Sequence, residues 1–313
     1  MARHKKKSTR ATGRRALTAF VGLGVVAAGV PAAMQATAAP LDESAAAART
    51  PIKVVQHNTD QKRGSFQKLV QRGGQNDLLL AEEVCETWVQ KVKKDHPEWT
   101  VSFHKQKVTE KPTPKTPEAH LCEGKSKWKG VVAIHTGPGK ASKQEFSFYA
   151  EGESPDPDQN FGMACVKFTK GGTDVHGCAT HLQIYGDEDF AHRAHQTGRI
   201  KQITHPWIAK KKKKHSVIVG GDFNAVPNSV PLSNMYGPNG SGDFVEAHQL
   251  RTGNAARVGQ PTAVGKDRDP RKIDYVFFSS NLSPLNSGGS LTVSPVTTSA
   301  DGHAVLAATG HIG

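Results

Sequence analysis

The stretch "SVIVGGDFNAVPNS", Ser216–Ser229, decides how this chain is read. Three β-branched apolar residues, Val217, Ile218 and Val219, run into Gly220-Gly221. An acid and an amide, Asp222 and Asn224, follow one residue apart. A short apolar run closed by glycines is the pattern of a buried strand. One aspartate after one strand is ordinarily a turn former. It means more if other strands end the same way.

They do. "IKVVQHN" (Ile52–Asn58) ends in Asn58, with Asp60 just beyond, and "DLLLAEEV" (Asp77–Val84) ends in Glu82-Glu83. "TDVHGCATHL" reaches His181, "RKIDYVFFSS" carries Asp274, and "SLTVSPVTTSADGHAVLAAT" carries Asp301 and His303. Sites in open α/β architectures form at such strand ends. Carboxylates with amide oxygens are hard donors suited to Mg²⁺ or Ca²⁺, with Mn²⁺ a further candidate. Histidines beside acids supply proton transfer. Together they fit hydrolysis of a phosphate ester. No Gly-x-Ser-x-Gly elbow is present, so a serine hydrolase has no nucleophile here.

Outward from this core, "KGVVAIHTG", "QEFSFYAEG" and "GMACVKFTK" read as further strands. A short helix is expected around Phe66–Arg72, and "TWVQKVKKDHPEW" reads as a helix stopped near Pro97. Phe190, Ala194, Thr197, Ile200, Ile203 and Trp207 keep helical spacing, which predicts an amphipathic helix over Glu188–Lys210. Lys105–Lys127 is rich in Pro, Lys and Thr, without apolar period, and reads as a long exposed loop. Strands and helices mixed over this length predict two stacked sheets covered by helices.

The first 39 residues stand apart. "MARHKKKSTRATGRR" is basic, "ALTAFVGLGVVAAGVPAAM" is apolar, and "ATAA" is small, which is the layout of a secretory signal peptide. The expected organisation is a signal peptide over 1–39, a linker over 40–51 and one domain over 52–313. The expected location is secreted and extracellular. The signal carries seven basic residues and no acid, which leaves about +6 of the chain's +13. A milder positive excess still favours an anionic partner. Lysines in Lys105–Lys129 and Lys210–Lys214 are candidates for phosphate contact. No stable protein partner is implied, and a monomer is expected.

Four cysteines in an exported chain imply two disulfides. Cys165 and Cys178 flank two alternating runs around Gly171-Gly172, a hairpin, so they are expected to pair across it. That leaves Cys85 with Cys122.

The order of these motifs resembles the endonuclease/exonuclease/phosphatase superfamily, the group of pancreatic-type deoxyribonucleases, abasic-site endonucleases, bacterial sphingomyelinases and inositol-polyphosphate phosphatases. "VVQHNTD", "LLLAEEV", "CATHLQIYGDEDFAHRAHQ", "VGGDFNAVP", "KIDYVFF" and "SADGHAVLA" are similar to its six motifs, in its order. The resemblance implies a four-layer α/β sandwich, two mostly antiparallel stacked sheets flanked by helices. It implies Glu83 as the metal carboxylate, completed by Asn58 and Asp301. It implies Asp222 and Asn224 on the attacking water or the phosphate, and His303 polarised by Asp274. His181 is implied as a proton donor or phosphate contact, and Arg193, in an Arg-x-x-Gln helix with Gln196, as a substrate contact. The substrate classes implied are nucleic acid first, then phospholipid or inositol phosphate.

Two positions depart from the family pattern. Glu82 stands where a glutamine is usual. Gly302 separates Asp301 from His303, which are usually adjacent; a glycine can take a tight or left-handed turn, which is expected to let both side chains face the site.

Overall fold

Two β-alternations that share one interior build this fold. In the computed structural model, β1 (Thr50–Asn58) sends Ile52 and Val54 to one face and Val55 to the other. β2 (Leu78–Cys85) does the same with Leu78 and Leu80 against Leu79 and Ala81. In the second sheet, β8 (His215–Asp222) turns Ile218 inward and Val217 and Val219 outward. β10 (Asp274–Ser279) turns Val276 and Phe278 inward and Tyr275 and Phe277 outward. The inward sets meet in one buried core, and each outward set is covered by helices. The period-2 pattern therefore yields four layers.

The structure describes residues 49–108, 122, 128–154, 160–184, 190–210, 214–264, 269–295 and 302–313. The expected signal peptide, most of the expected linker and Asp301 lie outside them. The first sheet adds β3 (Thr100–Val108), β4 (Trp128–His135), β11 (Ser290–Val293) and β12 (Leu306–Ile312), in the order β11-β12-β1-β2-β4-β3. The second adds β5 (Ser142–Ser147), β6 (Gly162–Lys170), β7 (Thr173–His181) and β9 (Phe244–Glu246), in the order β5-β6-β7-β8-β10-β9. Within each six-stranded sheet one neighbouring pair is parallel, β1 with β2 and β7 with β8, and the other pairs are antiparallel. Parallel neighbours require a crossover, usually helical. α1 (Arg63–Val70) lies between β1 and β2, and α3 (Phe190–Ile208) between β7 and β8. α2 (Glu86–Asp95) follows β2, and α4 (Ala247–Thr252) follows β9.

Several expectations shift. β1 begins at Thr50, inside the segment expected to be linker. The long loop expected from Lys105 is strand at its start, because β3 pairs with β4 as far as Val108; most of the remainder lies outside the described residues. That strand was hidden because "TVSFHKQKV" carries His, Lys and Gln, yet His104 and Gln106 are buried. β9 and α4 are too short to show a period.

Both expected disulfides are formed, Cys165–Cys178 across the β6–β7 hairpin and Cys85–Cys122. A closed loop with a separation of 13 residues stabilises by about 3 kcal/mol through loop entropy. Cys165→Ala/Cys178→Ala should lose about that in urea unfolding, and non-reducing peptide mapping of the wild type should recover the linked pair. Among the described residues no helix is long and apolar enough to cross a membrane.

One buried histidine makes the fold acid-sensitive. His176 in β7 is 3% exposed and stacks on Trp207 of α3 with ring centroids 4.3 Å apart. Burial, then the charges of Lys167 and His215, pull its pKa from 6.5 down to about 3. The unfolded chain therefore binds the extra proton first. Stability should fall as pH drops below about 6.5 and keep falling until about 3. At pH 4 the loss is roughly 3 kcal/mol. His176→Phe should flatten that slope in urea midpoints measured at pH 7 and pH 4.

Candidate active site

The two parallel pairs end side by side in register. Asn58 is the cross-strand neighbour of Glu82, and Asp222 is the neighbour of both His181 and Asp274. Register thus gathers two strand ends in the first sheet and three in the second, and stacking of the sheets joins them at one rim. His303 joins from the segment before β12, held by a strap over residues 261–264. Ala263 pairs with both Arg271 and His303, and Thr262 Oγ1 accepts from the backbone N–H groups of Ile273 and Asp274 at 3.0 and 2.9 Å. The strap keeps His303 beside Asp274. Nothing in its sequence marks it.

Asp222 is the hub of the rim. Its Oδ2 accepts from Asn58 Nδ2 at 3.1 Å and lies 3.7 Å from His181 Nε2 and 3.8 Å from His303 Nε2. Its Oδ1 accepts from the Asn224 backbone N–H at 2.8 Å. Asn224 Nδ2 donates to Leu182 O at 2.9 Å and lies 3.2 Å from His181 Nε2. His303 Nδ1 meets both Asp274 oxygens at 3.0 and 3.1 Å. The sequence-expected residues Asn58, His181, Asp222, Asn224, Asp274 and His303 are therefore brought together.

Glu83 joins them through a backbone irregularity. The β2–β4 register shifts between Ala81 and Val84, and Glu83 has φ 54°. Strict alternation after inward-facing Glu82 would send Glu83 toward the helices. The bulge and the left-handed turn bring its carboxylate to Gln61 Nε2 at 3.1 Å and Lys129 Nζ at 3.4 Å. Of the five non-glycine residues with positive φ among the described residues, Asp60, Gln61, Glu83 and Asn224 are all at this rim. Such conformations cost on the order of 1 kcal/mol each and persist where the surroundings over-determine them, typically at functional sites.

Charge is divided unevenly. Burial pushes Glu82 well above the usual carboxylate range, with Asp274 adding to it. Its Oε2 accepts from Gln56 Nε2 at 2.6 Å. Burial, then Asp274, raises Asp222 as well. Burial would also raise Glu83, but Lys129, then His181 and His303, bring it down to about 2. His303 runs the other way. Burial opposes its cation, yet Asp274, by charge and hydrogen bond, then Asp222, lift it to about 10. The rim thus holds an ionised carboxylate and a fixed imidazolium.

Asp222, Asp274 and His303 bring one donor atom each within 4.8 Å of one another, a group able to hold a metal ion.

Arg193 is placed differently from the expectation. It is 5% exposed, and its Nη1 donates to Gln183 O at 3.2 Å, while Gln196 Oε1 accepts from the Gln183 backbone N–H at 3.1 Å. The Arg-x-x-Gln pair thus clasps the chain two residues past His181. Gly302 does not take the left-handed alternative. Its φ is not left-handed, and the nearest atom to an added Cβ would be Val264 O at 3.8 Å. Its strap bonds, not glycine geometry, set His303. Of the Lys210–Lys214 run, 211–213 lie outside the described residues; Lys214 directly precedes β8, whereas Asp222 ends it, so the eight-residue strand separates Lys214 from Asp222 by roughly 25 Å. Of the lysines expected in Lys105–Lys129, Lys129 is the cross-strand neighbour of Cys85, two residues past Glu83.

Comparison with known proteins agrees with this geometry. The profile of the Endonuclease/Exonuclease/phosphatase family matches residues 55–299. No curated protein matches by sequence. Among solved structures, the human Nocturnin catalytic domain with bound sulfate is similar at TM-score 0.57 and 16% identity, covering 86% of this chain and 98% of that one. D. rerio TDP2 complexed with a single-strand DNA product is similar at TM-score 0.52 and 11% identity, covering 84% and 99%. ANGEL2, a 2',3'-cyclic phosphatase, in complex with adenosine-2',3'-vanadate, is similar at TM-score 0.58 and 12% identity, covering 84% and 96%. At these identities the likeness is one of fold. The family match rests on sequence, and with the rim around Asp222 it places this chain in the endonuclease/exonuclease/phosphatase family, the metal-dependent hydrolases of phosphoester bonds.

Proposed function

We propose that the protein is a secreted, Mg²⁺-dependent nuclease that hydrolyses DNA or RNA phosphodiesters without sequence preference. The observation that carries the chemistry is the meeting of Asn58, Glu83, His181, Asp222, Asn224, Asp274 and His303 at one rim. Two disulfides support an oxidising destination.

The donors fit a hard cation. Glu83 is ionised, and Asn58 Oδ1, which accepts from the Asp60 backbone N–H at 3.0 Å, keeps a second lone pair. The Asp222–Asp274–His303 group fits less well, because its imidazole is a cation already bound to Asp274. Mg²⁺ is therefore assigned to Glu83 and Asn58, where it would draw charge from phosphate oxygens. Asp222, whose raised pKa makes it a better proton acceptor, takes the proton of the attacking water, and Asn224 orients that water. The His303 imidazolium holds the phosphate; its charge favours that role over a base. His181 faces the same space from β7 and supplies the leaving-group proton.

Nucleic acid is favoured by charge at the rim. Lys129 adjoins Glu83, and Lys105 is half-exposed nearby, over the Trp128 ring at 5.3 Å. Lysine–phosphate contacts position a polyanion without reading bases. The crystallised D. rerio TDP2 holds a single-strand DNA product, which agrees with this choice. Plasmid DNA should be nicked nonspecifically with Mg²⁺, not in excess chelator, and more slowly as salt rises. Replacing Lys214 with Ser should leave the salt slope unchanged, since Lys214 lies at the far end of β8 from Asp222.

A phospholipid substrate has one observation in its favour. The exposed large apolar side chains among the described residues are Ile184, Phe190, Val226, Val230 and Val258. Four follow β7 or β8, and the fifth adjoins Arg257, whose Nε donates to Pro227 O at 2.7 Å. Hydrolysis of sphingomyelin vesicles with no cleavage of plasmid under the same Mg²⁺ conditions would move the reading to lipids.

A further inference from the structure

Lys129 occupies a place the family motifs do not mark. It stands at the start of β4, beside the bulge that turns Glu83 to the rim. Its Nζ lies 3.4 Å from Glu83 Oε2, and both side chains are largely buried, 21% and 14% exposed. Gly130 follows it, packed so closely on β3 that a Cβ would fall 2.0 Å from His104 O, which holds the Lys129 backbone in place. Lys105 is committed elsewhere, to Glu86 at 3.0 Å.

A cation on a metal carboxylate competes with the metal. The separation also exceeds the roughly 2.7–2.9 Å of a tight charge-assisted bond. A lysine on a flexible four-carbon stem can leave such a contact easily, whereas a bidentate arginine would resist.

We propose that Lys129 is the exchangeable counter-ion of Glu83. It neutralises the carboxylate when no divalent cation is bound and yields it when one binds, so it sets the cation affinity of the site and turns to the substrate phosphate. This rests on the reading of a metal-dependent phosphoesterase. Lys129 is a positioning residue for Glu83 and, once displaced, a substrate contact.

The test is direct Mn²⁺ titration of the purified protein, followed by electron paramagnetic resonance, for wild type, Lys129→Met, Lys129→Arg and Glu83→Gln. Removing the competing charge should tighten Mn²⁺ binding by about tenfold or more in Lys129→Met. Lys129→Arg should bind as wild type or more weakly. Glu83→Gln should lose the site. At saturating metal, Lys129→Met should raise KM for DNA several-fold with kcat within about twofold, and Lys129→Arg should restore KM. Mn²⁺ affinity that is unchanged or weaker in Lys129→Met overturns the exchange, as does Glu83→Gln that binds like wild type. Wild type that binds no Mn²⁺ overturns the metal reading and the exchange with it. Because binding is read without substrate, a failure of the nuclease assignment alone leaves the titration result standing.

Discussion

Glu83→Gln should lower kcat by about 10³-fold at saturating substrate and Mg²⁺, since a lost Lewis-acid ligand forfeits several kcal/mol at the transition state. The substitution keeps shape and removes one charge. That charge is unusually secure, because Lys129, His181, His303 and the Gln61 hydrogen bond overcome burial and hold the carboxyl near 2. A depressed carboxyl pKa also stabilises the folded state above its ordinary value of 4.5, and this is lost as pH falls toward 2. The variant therefore gives up as much as roughly 3 kcal/mol of stability as well. The activity loss must be read on protein shown by circular dichroism to be folded at the assay temperature. Wild type with full activity in excess chelator, or a folded Glu83→Gln with more than a tenth of wild-type kcat, would remove Glu83 from the metal role.

Asp274→Asn should cost about 10² in kcat/KM and move the pH profile. Asp274 is the largest of the charges that lift His303, ahead of Asp222 and Glu83; burial by itself lowers the imidazole pKa. In the wild type the cation persists until pH passes about 10. The stability it contributes is complete below the ordinary 6.5 and is lost as pH rises through that upper value. Without the Asp274 carboxylate, His303 should be neutral at pH 7. The alkaline limb of kcat/KM should then shift downward by several units, and the alkaline loss of stability should shrink. His303→Ala should match the activity loss and show no such limb. An Asp274→Asn enzyme with the wild-type profile would mean that His303 takes its charge from elsewhere.

The sandwich, both disulfides and the seven residues that meet at the candidate rim were legible along the chain. The reason is local. Alternation in "IKVVQHN", "DLLLAEEV" and "SVIVGGD" encodes which face each strand buries, and a polar residue closing an apolar run stands out against that period. The Cys165–Cys178 pair was legible because a hairpin makes its partners neighbours in sequence. Tertiary structure decided the rest. Asn58 and Asp222 are 164 positions apart, and only stacking of the two sheets makes them bond. The same stacking fixes the charges. Burial raises the Glu82 carboxyl while Lys129 and the histidines lower that of Glu83, opposite shifts in two adjacent glutamates that the alternation pattern does not encode. Arg193 carries the family's spacing, yet it clasps Gln183, because hydrogen-bond geometry and not spacing chooses a guanidinium's partner. Lys129 was one lysine among many until the β2 bulge and the β2–β4 pairing set it against Glu83.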